Sequence, residues 1–298
     1  MDNPSLLYYQ HSGNYSASGA LGSLLGGAAA AVVLAFVYAY VILYCPFIYI
    51  NFFASVFFGG AVGFVGTNLL KRQKVRNSQV AAMIGVVLGV IAVWAHWVVW
   101  MYAFLGRADV EERNLLVLAL NPSFLWSLIL EVNNQGAWDI KGSTPTGGVL
   151  WAVWGLEALL IGGASFLVAK SMMDSDPYCE SCGSWCTEEG NIAELQPCDP
   201  AELKRHMESK DLGFLERLGG RAADASNWMQ VGLHKCKQCG MTNTLKVDEV
   251  TVKVDKKNKE SKSTKTVLEN LLVSSTECET IHQIGRRLST PVADAKAS

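Results

Sequence analysis

Long apolar runs broken by short polar stretches fill the first 170 residues of this chain, and an ordinary alternation of polar and apolar positions follows. Residues 19–44 and 48–70 form the first two runs. Each approaches the roughly 20 residues that a helix needs to cross a bilayer core about 30 Å thick. Cys45-Pro46 stands between them, where proline ends one helix and can open the next, so an antiparallel hairpin is expected. Residues 80–105 form a third run, and residues 149–169 a fourth that ends at Lys170. Between these two, residues 107–148 hold the shorter pieces Leu115–Leu120 and Phe124–Leu130, separated by Asn121-Pro122. Neither piece spans alone, so both are expected as helices lying at a membrane interface and capping the bundle. Trp97, Trp100, Trp126, Trp138, Trp151 and Trp154 fall near that level, as an interfacial aromatic belt would. Residues 1–18 read as a loosely ordered polar leader.

Beyond residue 170 the pattern is that of a water-soluble domain. Asp199-Pro200-Ala201-Glu202 has the form of a helix start, with a capping Asp, Pro at the first position and Glu in the first turn. Helices are expected over 200–210 and 212–219, stopping at Gly219-Gly220. From Trp228 onward apolar residues alternate with polar ones, as at Leu245, Val247, Val250 and Val252, which predicts short antiparallel strands. Lys253–Lys265 reads as a charged turn, Val267–Val273 as a last strand and 284–298 as a disordered tail.

Composition sharpens the division. The 298 residues are 50% hydrophobic and only 17% charged, against about 25% charged in ordinary soluble domains. Residues 1–170 hold 8 of the 25 Lys/Arg and 7 of the 27 Asp/Glu, so residues 171–298 hold 17 and 20. The soluble half is thus mildly acidic, which argues against a general nucleic-acid surface even though Lys253–Lys265 contains six lysines. No Lys or Arg precedes Lys71, so the start has no basic region of the secretory-signal kind. Lys71, Arg72, Lys74 and Arg76 are the only dense positive cluster among the apolar runs, and the positive-inside rule makes this topology-determining loop cytoplasmic. Four spans then leave both termini in the cytosol.

Two Cys-x-x-Cys-Gly turns follow the last apolar run: Cys179-Glu180-Ser181-Cys182-Gly183 and Cys236-Lys237-Gln238-Cys239-Gly240. Each sets two sulfurs one tight turn apart, with glycine easing the backbone past a metal. Together Cys179, Cys182, Cys236 and Cys239 offer the four thiolates of a closed, tetrahedral structural zinc site, and a reducing compartment keeps such thiolates available. This pairing over residues 177–250 resembles a zinc ribbon, a small metal-pinned sheet that mediates protein or nucleic-acid contacts. The resemblance implies each of the four cysteines as a metal ligand; the 53 residues between the turns depart from a minimal ribbon. A redox-active pair is the alternative, without the strand-to-helix setting of thioredoxin-like sites. Cys186 and Cys198 belong to no such pair and read as ordinary thiols, and His234 as a surface strand residue. A fully ligated site has no open position at which to activate water, so the metal's role is architectural.

Two ionisable residues stand inside the apolar runs. His96 is nine residues before Leu105 and Glu157 eight after Val149, which sets both about 12–14 Å below one surface. Ionisable groups in lipid are costly and face the bundle interior, so His96 and Glu157 are expected to pair, as a buried structural contact or as part of a proton or ion path. Gly22-x-x-x-Gly26, Gly59-x-x-x-Gly63 and Gly85-x-x-x-Gly89 are small-residue faces that let helices approach closely. No Walker loop, Gly-x-Ser-x-Gly elbow, HExxH or Rossmann fingerprint occurs, and Asp109, Glu111, Glu112, Glu131 and Asp139 read as solvated loop charges.

The sequence therefore predicts an all-α membrane bundle of four transmembrane helices with a cytoplasmic α+β, zinc-ribbon-like C-terminal domain. The expected division is a leader (1–18), a membrane domain (19–170), a zinc-stabilised domain with a helical insertion (171–283) and a tail (284–298). The expected role is non-enzymatic. A multi-pass protein of a bacterial inner membrane or a plasma membrane would anchor a cytosolic interaction domain whose partner is another protein or a second copy, not nucleic acid. The alternative is a small transporter or channel subunit using His96 and Glu157, with the soluble domain as regulator.

Overall fold

The computed structural model describes residues 7–45, 48–108, 110, 113–136, 144–254 and 260–289. The chain divides into a helical unit, Ser12–Asp174, and a sheet unit formed by Ser175–Ser298 together with Met1–His11. Two expected boundaries change. The leader is split, its first part belonging to the sheet unit, and the fourth run's helix continues past Lys170 to Ser175.

The helical unit contains α1 (Ala17–Tyr44), α2 (Ile48–Arg72), α3 (Ser78–Arg107), α4 (Leu115–Leu120), α5 (Pro122–Gln135) and α6 (Gly147–Ser175). Four of them, α1, α2, α3 and α6, are long and apolar enough to cross a membrane. Polar residues set the starts: Ser16 Oγ accepts from the Gly19 N–H, Asn77 Oδ1 from Val80 and Asn121 Oδ1 from Phe124, the last with Pro122 at the first position. Glycine then sets the packing. A Cβ at Gly59 would lie 2.2 Å from the Ile161 carbonyl oxygen, at Gly63 2.5 Å from that of Ser165, and at Gly89 2.8 Å from Gly162 Cα. The backbone of α6 therefore rests directly on α2 and α3, and Ser165 Oγ donates to the Gly85 carbonyl at 2.7 Å. Two of the three glycine pairs thus serve packing inside the chain. Gly22 in the first pair meets nothing within 4 Å.

The short helices α4 and α5 cover one end of α3, as expected for a cap. Leu118, Leu125, Ile129 and Val132 pack with Val98, Val99, Trp100, Met101, Leu150 and Trp154. Indole rings run together there, with Trp97–Trp154 centroids 4.9 Å apart, Trp151–Trp154 5.3 Å and Trp126–Trp151 5.4 Å. Trp138, Asp109, Glu111, Glu112 and Asp139 lie outside the described residues.

The sheet unit begins with a two-residue hairpin, β1 (Tyr178–Cys179) and β2 (Ser184–Trp185), and continues through β3 (Thr187–Leu195), α7 (Pro200–Glu208) and α8 (Gly213–Leu218). β4 (Asn227–Lys235), β5 (Asn243–Val254), β6 (Glu260–Leu272) and α9 (Ser275–Ser289) complete it. An antiparallel sheet runs in the order β3-β4-β5-β6. Met229, Val231, Leu233, Leu245, Val247, Leu268 and Leu271 pack on the inner sides of α7, α8 and α9. Leu7–Tyr9 adds a short strand beyond β6: Leu272 N–H donates to Leu7 O at 2.8 Å and Tyr9 N–H to Asn270 O at 2.8 Å.

The sheet unit departs from expectation in three places. β3 is a strand where none was expected; it is polar along most of its length and bulged between Glu189 and Ala193. Within Lys253–Lys265, β5 runs on to Val254 and β6 starts at Glu260, so strand replaces much of the expected turn. The expected tail from residue 284 is helical as far as Ser289. It forms the end of α9, which starts on a reciprocal cap between Ser274 and Glu277 (N–H to side-chain oxygen, 2.6 and 3.2 Å).

Candidate metal centre

Both Cys-x-x-Cys-Gly turns are brought to one end of the sheet unit. The first is the bend of the β1–β2 hairpin, where Cys179 pairs with Ser184. The second is the connection between β4 and β5, closed by Cys236 N–H donating to Thr242 O at 3.0 Å. In each turn the glycine N–H donates to the carbonyl of the first cysteine at 2.9 Å, Gly183 to Cys179 and Gly240 to Cys236. That closure requires a left-handed residue: Gly183 has φ +64° and Gly240 φ +63°, where a side chain would be strained. The Gly240 carbonyl is held in turn by Asn243 Nδ2 at 2.6 Å and Ser275 Oγ at 2.9 Å, which ties the turn to β5 and α9.

The sulfurs of Cys179, Cys182, Cys236 and Cys239 all lie within 4.8 Å of one another. Cys179–Cys239 is 3.5 Å and Cys236–Cys239 3.7 Å. A disulfide would bring two sulfurs to about 2.05 Å. A tetrahedral ion bound at about 2.3 Å from each sulfur sets them about 3.8 Å apart. The spacing is therefore that of a metal cage rather than of two disulfides, and the donor set fits zinc. Burial pushes the Cys236 thiol up, but the N–H groups of Cys239 and Gln238 and the neighbouring Cys179 and Cys239 side chains outweigh it and bring it down to about 6. Cys179 is lowered in the same way, against its burial, by Thr242, the Cys182 N–H and Cys239. Cys182 is held up at about 12, first by its hydrogen bond with Cys239 and then by burial. The cluster thus prepares thiolates but keeps part of its protons for a cation to displace.

The four cysteines sit in the middle of the chain rather than in its tail, since β5, β6 and α9 follow them. Cys186 is buried beside them, its sulfur 3.5 Å from the Thr242 carbonyl, and Cys198 packs against the helix-covered core. His234 is buried in β4, where it pairs with Thr244, rather than at the surface, and it is not among the clustered ligands.

The remaining expected residues fall in the helical unit. Lys71 and Arg72 end α2, Lys74 is left-handed at φ +54°, and Arg76 is tied back to residues 13 and 14 by two backbone hydrogen bonds of 3.1 and 2.9 Å. His96 and Glu157 do meet, Nε2 to Oε1 at 3.7 Å. Tyr38 and Ser55, which sequence reasoning passed over, join them: the Tyr38 hydroxyl bonds Glu157 Oε1 and lies 2.8 Å from Ser55 Oγ. No family model, curated protein or solved structure matches this chain.

Proposed function

We propose that this chain is a four-span membrane protein that carries, on the cytosolic side, a zinc-pinned sheet domain acting as a protein-recognition module. The carrying observation is the cage of four sulfurs, whose 3.5 and 3.7 Å separations suit one tetrahedral zinc and hold β1, β2, β4 and β5 together at one end of the sheet. The zinc-ribbon resemblance of the two turns points the same way. A small domain gains from such a staple because a metal that binds only the folded state adds its binding energy to folding.

Two further features support the placement. Residues on both sides of the helical unit belong to the sheet unit, so the chain leaves that unit into α1 and re-enters it from α6. An even number of crossings would satisfy that connection, and the four helices long and apolar enough to cross a membrane match it. Lys71, Arg72, Lys74 and Arg76 between α2 and α3 orient the bundle with this loop, and hence the sheet unit, in the cytosol. Recognition is assigned to the knuckle end, where Met241 is 73% exposed directly after Cys239-Gly240. An isolated apolar side chain at the tip of a metal-stiffened turn is suited to insertion into a partner.

The test is the metal content of the purified full-length protein beside a Cys179→Ser/Cys236→Ser variant, with limited proteolysis of both. One zinc per chain, lost in the variant together with protease resistance of residues 175–289, is the expected result. A metal-free wild type whose sheet unit resists protease as well as the variant does would overturn the proposal.

A further inference from the structure

Each long helix sends one polar side chain to a single place inside the helical unit: Tyr38 from α1, Ser55 from α2, His96 from α3 and Glu157 from α6. Tyr38 Oη bonds Glu157 Oε1 and lies 2.8 Å from Ser55 Oγ, and Ser55 Oγ donates to the Asn51 carbonyl at 2.9 Å. His96 Nε2 stands 3.7 Å from the same Oε1, and although His96 is only 2% exposed, this nitrogen has no hydrogen-bond partner among the described residues. The rings enclose the group, Tyr38 stacking on Phe58 at 4.6 Å and meeting His96 at 4.9 Å. Among the described residues the titratable groups facing Glu157 are thus Tyr38 and His96, while α2 contributes the neutral Ser55 and Asn51.

Three contacts link Glu157, Tyr38, Ser55 and the Asn51 carbonyl, but the two hydroxyls carry only two hydrogens. A carbonyl only accepts, so Ser55 spends its hydrogen on Asn51. Tyr38 then donates either to Glu157 or to Ser55, and one contact is left without a hydrogen. A hydrogen on Glu157 fills all three, in a directed row from Glu157 through Tyr38 and Ser55 to the Asn51 carbonyl. In the tautomer with its hydrogen on Nδ1, His96 Nε2 is a further acceptor facing the same oxygen. Unfilled acceptors in a buried site are costly, so an added hydrogen is stabilised where it completes the set.

We propose that Tyr38, Ser55, His96 and Glu157 form a proton-binding site inside the helix bundle. A hydronium ion of the acidic medium loses a proton and becomes water, the proton forms an O–H bond at Glu157 Oε1 and turns the carboxylate into a carboxylic acid, and the Tyr38 hydroxyl swings its hydrogen from Glu157 to Ser55. From Oε1 the proton has one other seat, His96 Nε2. There the O–H bond breaks, an N–H bond forms, the carboxylate returns and the imidazole becomes imidazolium, with no electrons leaving the cluster. Glu157 lies ten residues into α6 and His96 eleven before the end of α3, about 15 Å and 16 Å from the end that α4 and α5 cap. Apolar layers bound the site on both sides, Ala31, Val62, Leu88 and Ile161 towards one end and Val99, Trp100, Leu150 and Trp154 towards the other, and Glu157 keeps 19% of its side chain exposed. This activity does not depend on the zinc reading.

The test is infrared difference spectroscopy of the full-length protein in lipid vesicles, between alkaline and acidic buffer, in water and in deuterium oxide. The wild type is expected to gain one carboxylic C=O band that shifts on deuteration, is lost in Glu157→Gln, and moves in Tyr38→Phe, which removes its hydrogen-bond partner. A wild-type spectrum matching that of Glu157→Gln, or a band that ignores deuterium oxide, would overturn the site. Tyr38→Phe retains the carboxyl and decides the matter even where Glu157→Gln fails to fold: an unmoved band sinks the proposal.

Discussion

Cys186 is the residue that best separates proximity from ligation. It is buried with the four clustered thiols, yet its sulfur is turned to the Thr242 carbonyl at 3.5 Å. Burial, and then the neighbouring Cys236, Cys179 and Cys239, push its thiol up to about 12, so it stays protonated where a ligand must not. Cys186→Ala is therefore expected to keep the full metal content and lose only packing, roughly 1 kcal/mol of stability, whereas Cys182→Ala is expected to lose the metal; elemental analysis beside thermal unfolding distinguishes them. An equal metal loss in both variants would make Cys186 a ligand. Spacing alone identified the four cysteines, because the Cys-x-x-Cys-Gly turn carries its geometry within five residues. His96 and Glu157 were legible from their depth along two helices. Tyr38 and Ser55 were not, because a tyrosine near a helix end is equally at home in an aromatic belt and a serine betrays no direction.

At the scale of elements, glycine decides which helix faces touch. Gly63 brings α2 onto the Ser165 carbonyl of α6, while Gly22 on α1 faces open space. Gly63→Val is expected to force α6 away and to destabilise the helical unit by about 3 kcal/mol or more. Gly22→Val leaves it within about 0.5 kcal/mol. Unfolding of both variants in detergent measures the difference, and similar losses would show that the glycine contact contributes little. The long helices were readable because each is one unbroken apolar run, α7 because its start at Asp199-Pro200 is a local signal, and α8 because its stop at Gly219 is. β3 was hidden for the opposite reason: Thr187-Glu188-Glu189-Gly190-Asn191 is polar and bulged, and it becomes a strand only through pairing with β4. For α9 the signals were present and overlooked, in the Ser274–Glu277 cap and in the apolar stripe Cys278, Ile281, Ile284 and Leu288.

For the whole molecule, the division between the two units carries the topological claim. Epitope tags at both termini are expected to be digested from the same side of sealed vesicles, with Cys45, between α1 and α2, reached by an impermeant thiol reagent only from the other side. Tags protected on opposite sides would break the four-crossing reading at once. Composition made the two-part plan legible, since charge is sparse in one half and ordinary in the other. That the first residues belong with the last was beyond reach, because strand pairing across the length of a chain leaves no local pattern.

That long-range pairing constrains how the protein is made. Leu7–Tyr9 leaves the ribosome well before the residues it joins, Asn270 to Leu272, and the whole helical unit is made in between. At about 5–20 residues per second, many seconds separate the two events. Throughout that wait the short segment has no edge to join, and the helices of the other unit must settle while it is untied. The edge of the sheet is thus closed only after the whole helical unit has been made, so that this pairing also reports that the residues between its two partners are in place.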